Sequence, residues 1–449
     1  MRANLAAFVV VTLIGCGHQQ PANSMREARD EMSKEVIEFH RIVESGSLEE
    51  LRQVLERGID VNAPGHMGKT ALLVAIEVKS IDKMRLLIEY GADPELTDKF
   101  NCTALRHAVN WDFADGVRLL LGLAVDRGHH PKYALKQFDY GVGLPEIELP
   151  KEMRGVLSEA EWKTSLEEMQ QSVLDLGLNP TVEPVIADVQ SEEVLKLFLQ
   201  AGEDLNLAPQ EVKREYVGLS NEGVFQCSLA DFRRHKSPHN GTSNPQRMDN
   251  PFWRDMVKLG CNTYIARQHF NEPGPFSKPD VVWCYDRFGA SLTQLPDGRF
   301  VQIGGEHEDY YDPDFYIYND VVIHDGRGDF QIYGYPADVF PPSDFHTATL
   351  VGDWIYIIGC LGYVDQRQEG HTPVYRLNTD SWQIARVETS GETPGWIHEH
   401  HASYAPTQST IRVDGGKLVV LDEDGEQDIV PNKSSFELDL ASFEWRKVK

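Results

Sequence analysis

A spacing of 33 residues recurs near the start of the chain, and few folds accommodate it. Arg52, Arg85 and Arg118 lie 33 apart, as do Leu55, Ile88 and Leu121. Gly58-Ile59-Asp60 returns as Gly91-Ala92-Asp93, and Thr70-Ala71-Leu72 returns as Thr103-Ala104-Leu105, with Ala75 and Ala108 behind them. A repeat of this length is a single supersecondary unit that cannot bury its own apolar face, so it must stack on its neighbours. The residue types point to its parts. Thr70 stands where a helix needs an N-cap, small Ala71 and Ala75 let two helices approach, Leu86-Leu87-Ile88 fill the stack, and Gly91 supplies a left-handed helix end.

The stretch GKTALLVAIEVKSIDKMRLLIEYGADPELTD, Gly68 to Asp98, resembles the ankyrin repeat almost throughout, with Ala71 and Ala104 where that family usually has proline. The resemblance implies an all-α solenoid over residues 36–215, regular over 36–125 and degenerate over 126–215. In the degenerate part LKLFLQAGEDLN (Leu195 to Asn206) echoes LIEYGADPE; Gly202 follows Gly91 by 111 residues, three periods and an insertion of 12. The resemblance also implies a protein partner on the concave face, at turn tips such as Ala63 to Lys69 and Lys99 to Asn101.

Further on, the apolar period changes from 3.6 to 2. The strand RFVQIGG (Arg299 to Gly305) is echoed by Trp354 to Gly359 and by Lys417 to Leu421, each preceded by a Gly/Asp turn. DVVIHDGRGDFQIYG aligns to TPVYRLNTDSWQIAR at an offset of 52, with Phe330 over Trp382, and the last unit closes FELDLASFEW with Trp445. Apolar strand, glycines, variable loop, second strand and closing aromatic together resemble the kelch blade. They imply an all-β, kelch-like region over 290–449, a partial or small propeller. Residues 216–289 read as a linker with a helix starting at Asn250-Pro251, and with room for a diverged fourth blade around VVWCY (Val281 to Tyr285).

The first fifteen residues have the layout of an export signal, and Leu13-Ile14-Gly15-Cys16 resembles the lipobox of bacterial lipoproteins. That likeness implies a signal peptide over 1–15, lipidation of Cys16, a polar tether over 16–35, and a place in the cell envelope, on the periplasmic face of an outer membrane where the cell has two. The net charge of −27 repels phosphate backbones, so nucleic acid is excluded as a partner. Five cysteines follow Cys16 without a CxxC, which argues against a zinc ribbon or a dense disulfide framework.

Two clusters carry candidate chemistry. GWIHEHHASY places His398 and His400 on one face of an expected strand, a start for zinc or copper, although histidines that punctuate a repeated β unit are the preferred reading. The loop containing Glu306, His307, Glu308, Asp309, Tyr310, Tyr311, Asp312, Asp314 and Tyr316 combines aromatics with carboxylates, which suits a sugar or a basic partner, and the loop from Gly362 to Arg367 is expected beside it. No nucleophile elbow, HExxH or Walker loop is present. The expectation is therefore a non-catalytic, lipid-anchored interaction protein without a cofactor. The alternative is an enzyme or a carbohydrate- or metal-binding module in the kelch-like half.

Overall fold

The structure, a computed structural model, describes residues 34–100, 102–123, 184–220, 223–272, 280–307, 314–422 and 424–448. The chain divides into two compact units, Met1–Pro209 and Gln210–Lys449.

The N-terminal unit is built from helix pairs. Helices α1 (Lys34–Ser45) and α2 (Leu48–Glu56) form the first pair, α3 (Ala71–Glu77) and α4 (Ile81–Glu89) the second, α5 (Ala104–Asn110) and α6 (Ala114–Gly122) the third. Helix α3 packs between α1 and α5, while α4 lies between α2 and α6, giving an inner and an outer layer. Phe39, Leu72, Leu73, Ala75, Met84, Leu87 and Ala108 are fully buried between them. Helix α2 starts with a reciprocal capping box between Ser47 and Glu50. Thr103 caps α5 through its side chain, whereas Thr70 holds the same place before α3 without that bond. Gly58 and Gly91 take φ of 86° and 90° at the ends of the outer helices, a backbone that costs any other residue strain. Helix α7 (Glu192–Gln200) packs directly on α6 and ends the same way, at Gly202 with φ 91°. Arg106 pairs with Asp188, and the Ser191 hydroxyl donates to Asp112 at 2.6 Å, so the stack resumes at residue 184.

The C-terminal unit is layered. Its first sheet orders Gln246–Arg247, Phe330–Gly334, Val321–His324, Phe300–Ile303 and Ser291–Gln294; the second orders Ile384–Arg386, Val374–Asn378, Trp354–Ile358 and Thr347–Val351. The third orders Ser390–Gly391, Glu444–Val448, Ser435–Asp439, Thr410–Asp414 and His401–Ala405. Each contains four strands consecutive along the meander and antiparallel, and among the described residues the ladders stay separate and close no barrel. Alternation decides the packing. Ile355 and Ile357 of the second sheet face Val301, Ile303 and Val321 of the first, while Tyr356 and Ile358 face Ile411, Val413, Leu438 and Trp445 of the third. The central strand Trp354–Ile358 of the middle sheet is packed on both faces, which is why WIYII has no charged position. Four helices accompany the first sheet, α8 (Gln210–Tyr216), α9 (Leu229–His235), α10 (Pro251–Leu259) and α11 (Thr263–His269); α8 meets it through Tyr216 against Phe300 and α10 through Arg254, while α9 packs on α10. The Arg254 guanidinium lies 4.6 Å over Phe330, and the Tyr285 hydroxyl sits 3.2 Å from His324 Nε2.

Helix α10 starts as read, with the Asn250 side chain accepting from Trp253 N and Pro251 in the first turn. The run Val281 to Tyr285 is largely buried yet joins no ladder, and the regular elements in the described part of 216–289 are helices apart from the short strand Gln246–Arg247. One internal alignment changes. The third counterpart of Phe300–Ile303 and Trp354–Ile358 is Thr410–Asp414; Lys417–Leu421 belongs instead to a separate sheet between Trp396–His398 and Gln427–Pro431. The physical reason lies in the glycines. Gly304, Gly359 and Gly415, with φ of 58°, 68° and 63°, each follow a strand and end it. Reading Gly415-Gly416 as the turn before a strand shifts the repeat by one strand.

Candidate functional site

The inner helices and the finger loop before α3 enclose a groove of about 780 Å³ on the N-terminal unit. Helix α1 contributes Ile37 and His40, the finger Gly65 and Lys69, the end of α3 Val78, and the end of α5 Trp111. Three of these are large apolar residues left in solvent: Ile37 is 42% exposed, Val78 38% and Trp111 46%. The geometry follows from the repeat. Inner helices present successive turns to one side, and the finger rises beside them because Gly65 lets it touch α1. A Cβ at Gly65 would come within 2.4 Å of the His40 ring. His40 Nε2 lies 3.2 Å from the Ala63 carbonyl, and burial holds its imidazole below its usual pKa, so the groove's wall is neutral there at pH 7. Lys69 and Glu77 pair across the floor. The face is therefore apolar at its anchors and charge-balanced around them, a composition that suits a protein-binding surface.

In the C-terminal unit, Glu306–His307 pairs antiparallel with Tyr316–Ile317, so the aromatic and acidic loop springs from a short hairpin. Glu308, Asp309, Tyr310, Tyr311 and Asp312 lie outside the described residues, as does Cys16. Asp314 is half-buried, as are Glu306 and Tyr316, whereas His307 is buried with Nδ1 2.6 Å from the Tyr318 hydroxyl. Burial pushes the His307 imidazole down to about 3, with the Arg287 cation acting in the same direction. The loop of the second sheet does lie beside it: Ile317 N donates to the Tyr363 hydroxyl at 2.9 Å, and Phe315 meets the Tyr363 ring edge-on.

His398 and His400 are both buried, but the strand breaks between them. Glu399 takes φ 52°, so Trp396–His398 ends one ladder, His401–Ala405 starts another, and period-two alternation does not connect the two rings. His400 instead belongs to a repeated device. Gly289-Ala290-Ser291, Phe345-His346-Thr347 and Glu399-His400-His401 occupy equivalent places at the entry to the three sheets. The first residue of each has φ of 62°, 48° and 52°. Phe345 N donates to Gly289 O at 2.8 Å and Glu399 N to Phe345 O at 2.9 Å. The hydroxyls extend the chain of contacts, with Ser291 Oγ 2.9 Å from His346 Nε2 and Thr347 Oγ1 2.8 Å from His400 Nε2. Burial lowers His346 to about 4 and His400 to about 3, so both are neutral hydrogen-bonding rings. Asp344 and His398 precede the second and third of these entries. The Asp344 carboxyl accepts from Gly362 N at 2.6 Å, and burial raises its pKa above the ordinary carboxylate range.

Among the described residues, one group of three metal-ligating side chains brings its donor atoms within 4.8 Å of one another, and it is Asp98, Cys102 and His107 in the N-terminal unit. Sequence reasoning passed over this trio, and over Ile37, Val78 and Trp111. The available signal was register: comparing successive repeats position by position exposes residues that the repeat itself does not require.

Residues 39–129 match the family model described as ankyrin repeats, in three copies. The helical stack is thus made of ankyrin repeats over that span. No curated protein matches the chain.

Proposed function

We propose that the chain is a non-catalytic interaction protein, whose ankyrin repeats hold a segment of a protein partner in the groove between α1, α3 and the Gly65 finger. The observation that carries this reading is the cluster of Ile37, Val78 and Trp111, each more than a third exposed on the concave side of a stack whose other large apolar residues are mostly buried. Ankyrin stacks contribute rigid surface and no inherent reactive group, and buried aromatic anchors dominate binding at such surfaces. The lipobox-like Leu13 to Cys16 supports attachment to a membrane from outside the cytosol through Cys16. The three four-stranded meanders support a kelch-like second half, whose Glu306 and Tyr316 loop adds a second face for a protein or sugar.

A photo-crosslinking residue placed at Val78 in intact cells is expected to capture one discrete partner. Trp111→Ala is expected to weaken capture by about 2 kcal/mol or more, roughly 30-fold, without loss of helicity. Crosslinks that form equally well in Trp111→Ala would reject the groove. Cys16→Ser is expected to move the protein from the membrane to the soluble fraction; unchanged sedimentation would reject the anchor.

A further inference from the structure

We propose that Asp98, Cys102 and His107 bind a divalent cation of the zinc class on the concave finger of the third repeat, one repeat along from the groove. This goes beyond the protein-binding reading and does not depend on it.

The geometry is built before any ion arrives. Asp98 is 5% exposed, and its Oδ1 accepts from Phe100 N at 2.8 Å and Cys102 N at 3.0 Å, which fixes the carboxylate plane. Its other oxygen, Oδ2, lies 3.0 Å from His107 Nε2, at the middle of α5. Cys102 stands on the loop between them, half-buried. A tetrahedral zinc ion with bonds of roughly 2.0–2.3 Å needs donor atoms roughly 3.3–3.6 Å apart. Asp98 Oδ2 and His107 Nε2 reach that spacing by parting a few tenths of an ångström, and the three donor atoms already lie within 4.8 Å of one another. A thiolate, an imidazole and a carboxylate are the donor set zinc takes, whereas calcium and magnesium prefer oxygen alone.

The repeat supplies its own control. Thirty-three residues earlier the same three positions hold Gly65, Lys69 and Val74. There Gly65 N donates to Lys69 O at 2.8 Å, as Asp98 N donates to Cys102 O at 3.2 Å. The finger therefore closes without a carboxylate, a thiol or an imidazole, and the trio is not a requirement of the fold. Three protein ligands leave a fourth position for water or for a donor from the partner.

The test uses the full-length protein stripped of metal. Cobalt(II) titration is expected to give a thiolate-to-cobalt charge-transfer band at one equivalent, bleached by one equivalent of zinc. Cys102→Ser, nearly isosteric and at a half-buried site, is expected to abolish the band with the circular dichroism unchanged. Asp98→Asn and His107→Gln are expected to weaken binding more than the roughly 10- to 100-fold typical of outer-shell changes. His398→Ala is expected to leave the titration unchanged. In the unmutated protein, zinc is expected to protect Cys102 from alkylation, read by peptide mass spectrometry. No charge-transfer band, a band that survives Cys102→Ser, or alkylation of Cys102 indifferent to zinc would each overturn the proposal.

Discussion

At the scale of single residues, the most constrained charge in the C-terminal unit is Arg287. Its side chain is 1% exposed and its guanidinium makes a two-pronged contact with Asp320, at 2.5 and 3.0 Å, while donating to Cys284 O and Gly304 O. The Tyr318 ring lies 3.4 Å below it, and Trp283 Nε1 donates to Asp320 Oδ2 at 2.8 Å. This network ties the segment before the first sheet to the turn after the aromatic hairpin. Removing one partner leaves the other as an uncompensated buried charge, so Asp320→Ala is expected to cost about 3–5 kcal/mol. Replacing both, as Arg287→Met with Asp320→Leu, is expected to recover much of that loss, because neither charge is then left to desolvate. Urea denaturation of the two variants measures the difference, and equal losses would contradict the pair as the source of the cost.

At the scale of elements, the entry triplets join three sheets through alternating hydroxyls and imidazoles, and the two links differ in redundancy. His346 keeps Ser343 Oγ at 3.2 Å on Nδ1 when Ser291 is removed, whereas the Nδ1 of His400 has no hydrogen-bond partner among the described residues to fall back on. Thr347→Val is therefore expected to cost about 1–3 kcal/mol, and Ser291→Ala less, by chemical denaturation. A larger loss from Ser291→Ala would show that the link does not work this way. Legibility followed locality here. The 33-residue period was readable because Ala75, Leu87 and Gly91 each do one short-range job that the next repeat needs again. Thr410–Asp414 was harder, since its clean alternation is short, with only Ile411 and Val413 apolar, and its register depends on ladders with His401–Ala405 and Ser435–Asp439, from flanking strands. The hairpins show the same limit. Trp382 aligned over Phe330 in sequence, yet Trp382 has φ 60° in the turn, where Asn378 accepts from Ser381 N, and its counterpart is Phe443 at φ 56°, where Asp439 accepts from Ser442 N. The groove was legible as a face, through the finger tips, but its anchors were not. Whether Trp111 at a helix end is core or surface depends on which neighbours the stack brings to it.

At the scale of the whole molecule, the two units differ in how they meet acid. The C-terminal unit buries His307, His324 and His400 with pKa values lowered to about 3, and His346 to about 4, in each case chiefly through desolvation of the charged ring. An unfolded chain titrates these rings near 6.5. Between roughly pH 6.5 and 4 the unfolded state thus binds more protons than the folded one, and stability falls as pH falls, by up to about 1.4 kcal/mol per pH unit for each ring. Asp344 and Asp286, raised by burial, oppose this by taking up protons in the folded state at higher pH than they would unfolded. His371, also lowered by burial, and Glu399, lowered to about 2 by its His398 and Lys417 contacts, act in the same direction as the four rings, so destabilisation is the net sign. The ankyrin unit has His40 as its one described imidazole lowered by burial, so its acid sensitivity is smaller. Calorimetry of the full chain is expected to show overlapping transitions near pH 8. Near pH 5 the transition carrying the β-sheet signal moves down by several degrees more than the helical one. A His324→Gln and His400→Gln double variant, if folded, is expected to shrink that pH-dependent gap by about half. Transitions that move together from pH 8 to 5 would mean that the buried imidazoles do not set the acid limit of the β unit.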